Sequence, residues 1–151
     1  MIEKTKFKKI FGEVFSGSGF AKKGQRWFLP GKDAIVVVSL QKSDFAEKFY
    51  VNIGIWLRAL GESEFPQENH CQIQVRLGSL FAEHVSLIDK ACSLELAEQS
   101  DIDELLTILR ERLVPFCRLS LTLEGLRQHA EAKLFVGALI FKQARDLLEI
   151  A

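Results

Sequence analysis

The alternation of side chains in residues 48–58 constrains the fold more than any other feature of the sequence. Every second residue is apolar, namely Phe49, Val51, Ile53, Ile55 and Leu57. The residues between and after them are Tyr50, Asn52, Gly54, Trp56 and Arg58. Because successive side chains of a β-strand point to opposite faces, this pattern predicts a strand with one buried face.

Three further segments predict strands that pair with this one. Residues 34–40 are β-branched and apolar on both faces, which predicts a central strand. Residues 25–29 form a short segment with aromatic side chains, and the sequence Pro30-Gly31-Lys32-Asp33 predicts a turn after it. In the last segment, Cys71, Ile73, Val75 and Leu77 alternate with Gln72, Gln74 and Arg76. Short loops favour antiparallel pairing, so we expect a small antiparallel sheet of about four strands.

Apolar residues at helical spacing predict one helix before the sheet and several after it. The amino-terminal stripe consists of Phe7, Ile10, Phe11, Val14 and Phe15. Later, Ser100 and Asp103 resemble a capping box that opens a helix, which Pro115 ends or kinks. Residues 122–133 and 135–150 predict two more helices, and residues 85–92 predict a short strand or helix. We therefore expect a single α+β domain over residues 1–151, with the carboxyl-terminal helices packed on one face of the sheet.

Composition and cysteine use disfavour several classes of protein. Of the 151 residues, 48% are hydrophobic and the formal net charge is zero, so a core can form and a nucleic-acid partner is not expected. No apolar run reaches the roughly 18 residues that span a bilayer, and the lysine-rich start does not have the pattern of a secretory signal. Three widely spaced cysteines predict reduced, buried thiols. These observations predict a cytoplasmic protein without a membrane partner.

The residues that could carry chemistry lack the spacing that known sites require. Possible metal ligands are His70, Cys71, His84, Cys92, Cys117 and His129, and they show neither C-x-x-C nor H-x-x-x-H spacing. The sequence contains no G-x-S-x-G nucleophile motif and no glycine-rich phosphate loop. We therefore predict no metal, no cofactor and no catalytic residue.

The polar face of the predicted sheet is the feature that indicates a function. Its candidate binding residues are Gln41, Tyr50, Asn52, Trp56, Arg58, Gln74 and Arg76. Aromatic, arginine and amide side chains are favoured in recognition surfaces because they combine contact area with directional hydrogen bonds. The pattern predicts a non-catalytic binding or protein-interaction domain, for which another protein is one possible partner, and it leaves the oligomeric state open.

Three other interpretations of the same face remain open. One is an enzyme whose pocket lies on this face without a recognisable motif. Another is weak binding of single-stranded nucleic acid by stacking on Tyr50 and Trp56, which the zero net charge disfavours. The last is an ordinary half-solvated sheet face that the carboxyl-terminal helices partly cover.

Three short stretches of sequence and one single residue carry a family resemblance. They are Gly19-Phe20-Ala21-Lys22-Lys23-Gly24, Phe28, Leu40-Gln41-Lys42-Ser43 and Phe49-Tyr50-Val51-Asn52-Ile53-Gly54. Together with Arg76-Leu77 and Pro115, they resemble the bacterial family called domain of unknown function 4304, over about residues 7–120. The resemblance implies a bacterial α+β domain and implies no activity.

Overall fold

Six strands form one antiparallel sheet, in which each strand pairs with the next along the chain. The computed structural model describes residues 2–151. The strands are β1 (Ala21–Lys23), β2 (Arg26–Pro30), β3 (Ala34–Lys42), β4 (Phe49–Leu57), β5 (Ile73–Arg76) and β6 (Leu139–Ile140). The predicted α+β fold with an antiparallel sheet is confirmed, although the sheet has six strands rather than four.

The two longest strands, β3 and β4, pair along their whole length, from Ala34 opposite Leu57 to Lys42 opposite Phe49. The five alternating apolar residues of β4 are all buried in the main core. Ile35 and Val37 of β3 point to the opposite face, and they are buried there as well. The alternation in residues 48–58 and the two-sided burial of β3 are therefore confirmed.

Seven helices cover one face of this sheet. They are α1 (Lys4–Ser16), α2 (Leu77–Leu80), α3 (Val85–Ala91), α4 (Gln99–Ile108), α5 (Val114–Leu119), α6 (Leu123–Glu131) and α7 (Lys142–Leu148). Each of them contributes buried apolar side chains to the cluster that also contains the buried face of β4. Over residues 2–151, no helix is both long enough and apolar enough to cross a bilayer.

The apolar stripe of α1 packs on β2 and β4. Phe11 places its ring centroid 5.4 Å from that of Trp27, and Phe7 lies 5.4 Å from Phe49. Gly12 lies beside this contact, and a Cβ atom there would come within 2.7 Å of the Trp27 ring. The helix therefore approaches the indole closely because it has no side chain at this position.

The start of α4 differs from the prediction. The capping box consists of Glu98 and Asp101, two residues before the predicted pair Ser100 and Asp103. A π-helical turn, Leu109–Leu113, separates α4 from α5, and Pro115 lies in the first turn of α5. Proline is tolerated there because its missing N–H would have no partner in the first turn. Pro115 thus marks the interruption that the sequence predicts.

The prediction of a helix over residues 135–150 is wrong in its first half. Leu139 and Ile140 form β6, which pairs with Gln74 and Ile73 of β5, and α7 begins only at Lys142. The N–H of Phe141 also donates to the carbonyl of Gln72, at 2.9 Å. Backbone pairing with β5 therefore prevails over the local helical spacing.

The three cysteines, Cys71, Cys92 and Cys117, are buried and form no disulfide. Burial raises the pKa of Cys71 and of Cys92 to about 12, and it also raises the pKa of Cys117. Because the thiolate is the reactive form, we predict slow labelling of the native protein by a thiol reagent. The denatured, unreduced protein should show three free thiols. Finding only one would reveal a disulfide and contradict the structure.

Candidate functional site

The sheet face opposite the helices is divided into a covered part and an open part. In the covered part, Phe28, Ile35, Val37 and Cys71 form a second buried cluster, with Trp56 packed against it. Residues 61–70, called the cover segment here, lie over this cluster. The ring of Phe65, for example, has its centroid 5.3 Å from that of Phe28. The chain's own cover segment, rather than a carboxyl-terminal helix, therefore buries this part of the face.

Gly54 of β4 allows the cover segment to approach the sheet. A Cβ atom at this position would lie 2.8 Å from Sγ of Cys71 and 3.1 Å from Cα of Glu68. Both distances are too short for a normal contact. The backbone of the cover segment therefore occupies space that a side chain at residue 54 would fill.

Cys71 lies on the opposite face from the predicted one. The alternation groups it with Ile73, Val75 and Leu77, but its side chain belongs to the covered cluster. The strand β5 begins only at Ile73, and the chain bends at residues 71 and 72. Gln72 is buried at this bend, where its Oε1 accepts the N–H of Leu57 at 2.8 Å. The bend interrupts the period-two pattern.

A row of polar side chains crosses the open part of the face. It consists of Arg26, Ser39, Asn52 and Arg76, which the register places side by side on β2, β3, β4 and β5. Directly opposed residues of antiparallel strands present their side chains on the same face. Asn52 is only 8% exposed, and its Nδ2 donates to Oε1 of Gln41 at 2.8 Å. Four strands thus contribute to one polar surface.

The structure brings together five of the seven predicted binding residues, leaving two outside the open part. The five are Gln41, Tyr50, Asn52, Gln74 and Arg76. Trp56 lies in the covered part, where its Nε1 donates to the carbonyl of Gly61 at 3.0 Å. Arg58 follows the end of β4, and its Nε donates to the carbonyl of Gly31 at 2.9 Å.

Two neighbouring cavities share Arg76 and Ser79 in their linings, and the pair is called the groove here. The polar cavity has a volume of about 340 Å³ and is lined chiefly by Gln41, Asn52, Glu68, Gln74, Arg76 and Ser79. The apolar cavity has a volume of about 190 Å³ and lies between the start of β4 and α3. Its apolar lining includes Val51, Leu77, Val85 and Ile88.

Four polar residues of this region were not predicted from the sequence. They are Arg26, Ser39, Glu68 and Ser79. Arg26 and Ser39 could have been found by extending the period-two alternation through β2 and β3. Glu68 lies in the cover segment and Ser79 in the short helix α2, so neither position shows a periodic signal.

An aromatic ring, rather than an acid, supports Arg76. Its Cζ lies 3.9 Å from the ring centroid of Tyr50, a cation–π contact. Within residues 2–151, no carboxylate oxygen lies within 4 Å of the guanidinium. The side chain is exposed, so its N–H donors face the groove and solvent.

Two acids line the groove, and their environments differ. Glu68 lines the polar cavity, where burial raises its pKa and the positive charge of Arg76 opposes that shift. Asp89 lines the apolar cavity and is paired with Lys48. The hydrogen bond from Lys48 to Asp89 raises the pKa of that lysine. Lys48 lines neither cavity, although its Nζ lies 5.0 Å from the Tyr50 ring centroid, so within residues 2–151 Arg76 is the only cation among the lining residues.

The described residues, 2–151, contain no group of three His, Cys, Asp or Glu side chains that could hold a metal ion. The groove instead offers one guanidinium in contact with an aromatic ring, several amides and an apolar pocket. This set of groups is suited to holding a ligand by charge, hydrogen bonds and apolar contact.

The structure defines an α+β domain in which a six-stranded antiparallel sheet carries helices on one face and the polar cavity on the other, with the apolar cavity beside α3. The family model described as Domain of unknown function (DUF4304) matches residues 11–119, and the chain belongs to this family. No curated protein and no solved structure matches the chain. The polar row lies within the matched residues, whereas α6, β6 and α7 lie beyond them.

Proposed function

We propose that this chain is a non-catalytic binding domain whose groove recognises another protein. The observation that carries the proposal is Arg76, which is held on the Tyr50 ring at the junction of the two cavities and has no acidic partner. A charged side chain that already rests on an aromatic ring loses less conformational freedom on binding than one without such a contact. The groove is therefore suited to binding an anionic or polar group.

The composition of the groove supports a protein partner. Tyrosine and arginine are enriched among the residues that dominate binding energy at protein interfaces. The amides of Gln41, Asn52 and Gln74 offer both donors and acceptors, which suits the backbone of another chain. Val85 is half exposed at the apolar cavity and provides apolar contact. An apolar centre beside polar groups is typical of a protein interface.

The two alternative functions have weaker support. Base stacking would use Tyr50 and Trp56, but Arg76 covers one face of the Tyr50 ring and Trp56 belongs to the covered part. An enzyme would depend on Glu68, because burial raises the pKa of this carboxyl and a carboxyl with a raised pKa is better suited to proton transfer. Among the residues that the structure describes, no histidine or lysine lines either cavity to act as its acid–base partner.

We also propose that the domain functions in the cytoplasm. The support is that all three cysteines are buried and none is paired with another. Proteins of oxidising compartments usually pair their cysteines, whereas reduced thiols persist in the cytosol.

Site-specific photo-cross-linking tests the binding function. A photoreactive amino acid replaces Gln41, which is exposed and lines the polar cavity, and in a matched control it replaces Gln128, which is exposed on α6. We predict that a defined protein from the native cell is captured at position 41 and not at position 128. Arg76→Ala should weaken the capture, whereas Arg110→Ala, which removes an exposed arginine far along the chain, should not.

Equal capture at positions 41 and 128, or capture at position 41 that Arg76→Ala leaves unchanged, would contradict the proposal. Turnover of a small molecule that Glu68→Gln abolishes would favour the enzyme instead.

A further inference from the structure

We infer that the groove binds the carboxyl terminus of a partner polypeptide that ends in an apolar residue, an inference that rests on the binding function proposed above. In this arrangement the terminal carboxylate lies on Arg76 and the last side chain fills the apolar cavity. The preceding residues follow the polar cavity.

The terminal carboxylate matches the guanidinium of Arg76. A planar guanidinium can donate two parallel hydrogen bonds to a carboxylate, and the Cζ of Arg76 lies 3.9 Å from the Tyr50 ring centroid. No protein acid within 4 Å competes for the donors among residues 2–151. The carboxylate therefore supplies the counter-charge that Arg76 lacks within its own chain.

The last side chain matches the apolar cavity. Arg76 and Ser79 line both cavities, so a carboxylate held by Arg76 places the adjoining side chain at the mouth of the apolar one. Val51, Leu77 and Ile88 are buried, and they line this space with hydrocarbon. Leucine or phenylalanine would remove apolar surface from water there, whereas a charged side chain would lose its hydration.

The polar cavity offers hydrogen-bonding groups for the preceding backbone. Asn52 uses its Nδ2 to bind Gln41, and Gln74 uses its Nε2 to bind the carbonyls of Asn69 and Cys71. These bonds leave Oδ1 of Asn52 and Oε1 of Gln74 as acceptors, and Nε2 of Gln41 as a donor. An extended chain carries both N–H and C=O groups and can pair with this set.

The charges of the groove favour a carboxylate over a phosphate. Lys48 is paired with Asp89, which leaves Arg76 as the only cation lining the groove. Because Asp89 is offset by Lys48, the unpaired charges of the lining are Arg76 and Glu68, and a doubly charged phosphate would exceed the single positive charge of Arg76. Like charges at short distance oppose binding, and the monoanion is the better match.

Fluorescence anisotropy with matched peptide pools tests the inference. The probe is a pool of labelled hexapeptides that end in Leu or Phe with a free carboxyl group, and its control is the same pool with a terminal amide. We expect the acid pool to bind roughly tenfold or more tightly than the amide pool, as for a hydrogen bond to a charged group. Arg76→Gln should remove this difference, whereas Arg110→Gln should retain it. Unchanged thermal unfolding of both variants shows that folding is preserved.

Equal binding of the acid and amide pools to the wild-type protein would overturn the inference, as would no binding of either pool. Tighter binding of amidated phosphoserine peptides would assign the site to phosphate and overturn it too. Photo-cross-linking from position 41 distinguishes these failures from failure of the binding function. If that capture persists while the pools fail, the groove binds a partner but not through a carboxyl terminus.

Discussion

Replacing Phe11 with alanine is expected to lower the free energy of unfolding by about 3–5 kcal/mol, the usual range for a core phenylalanine. Phe11 is 1% exposed, and its ring lies 5.0 Å from that of Phe15 and 5.4 Å from that of Trp27. Truncation leaves a cavity between α1 and β2, which the neighbouring rings can fill only by leaving their own contacts. Denaturant unfolding followed by circular dichroism measures the loss.

Phe45→Ala is the matched control for this experiment. Phe45 lies between β3 and β4 and is 98% exposed, so its truncation should change stability by no more than about 0.5 kcal/mol. A loss below about 1 kcal/mol for Phe11→Ala, with an unchanged denaturant slope, would show that the apolar stripe of α1 is not part of the core.

Side-chain periodicity predicted the elements whose environment is uniform along their length. All of β4 has one face in the main core, so its alternation holds from Phe49 to Leu57. A shift of one residue would expose the whole apolar set, which fixes the register strongly. For the same reason the helical spacing of Phe7, Phe11 and Phe15 predicted α1 and its buried face.

Periodicity failed where contacts between distant residues decide the structure. Leu139 and Ile140 become a strand because β5 offers its backbone for pairing, and nothing in residues 135–150 indicates that partner. The capping box of α4 shows the same effect. Both Ser100 with Asp103 and Glu98 with Asp101 have suitable spacing, and a contact with another helix accompanies the pair that is used. Asp101 is the residue used, and it also lies 3.2 Å from Nζ of Lys90 in α3.

The candidate site could be predicted in part for related reasons. Positions on β4 and β5 follow the alternation, so Tyr50, Asn52, Gln74 and Arg76 were predicted on one face. The cover segment was predicted only as a loop, since its packing depends on the shape of the sheet below it. One signal was present in the sequence. A glycine inside a strand often marks a site where another part of the backbone approaches closely, and Gly54 is such a residue.

Replacing Gly54 with valine is expected to lower the free energy of unfolding by about 2–3 kcal/mol and to displace the cover segment. The new Cβ atom would lie 2.8 Å from Sγ of Cys71 and 3.1 Å from Cα of Glu68. Because the second of these atoms belongs to the backbone, a change of rotamer cannot relieve the contact. The cover segment must therefore move away from β4. Denaturant unfolding measures the stability, and Gly54→Ala should have a smaller effect because it adds fewer atoms.

The movement of the cover segment can be detected separately from the loss of stability. Cys71 lies beneath the segment with a pKa raised to about 12 by burial, so solvent access should lower that pKa and speed its reaction with a thiol reagent. Ser39→Val introduces the same side chain in the open part of the face. There we expect neither a loss of stability nor a faster reaction of Cys71. If Gly54→Val leaves Cys71 protected and the protein stable, the cover segment does not rest on β4 as described. If Cys71 becomes reactive, Glu68 moves with it and the wall of the polar cavity changes, so the acid peptides should bind more weakly to Gly54→Val than to Ser39→Val.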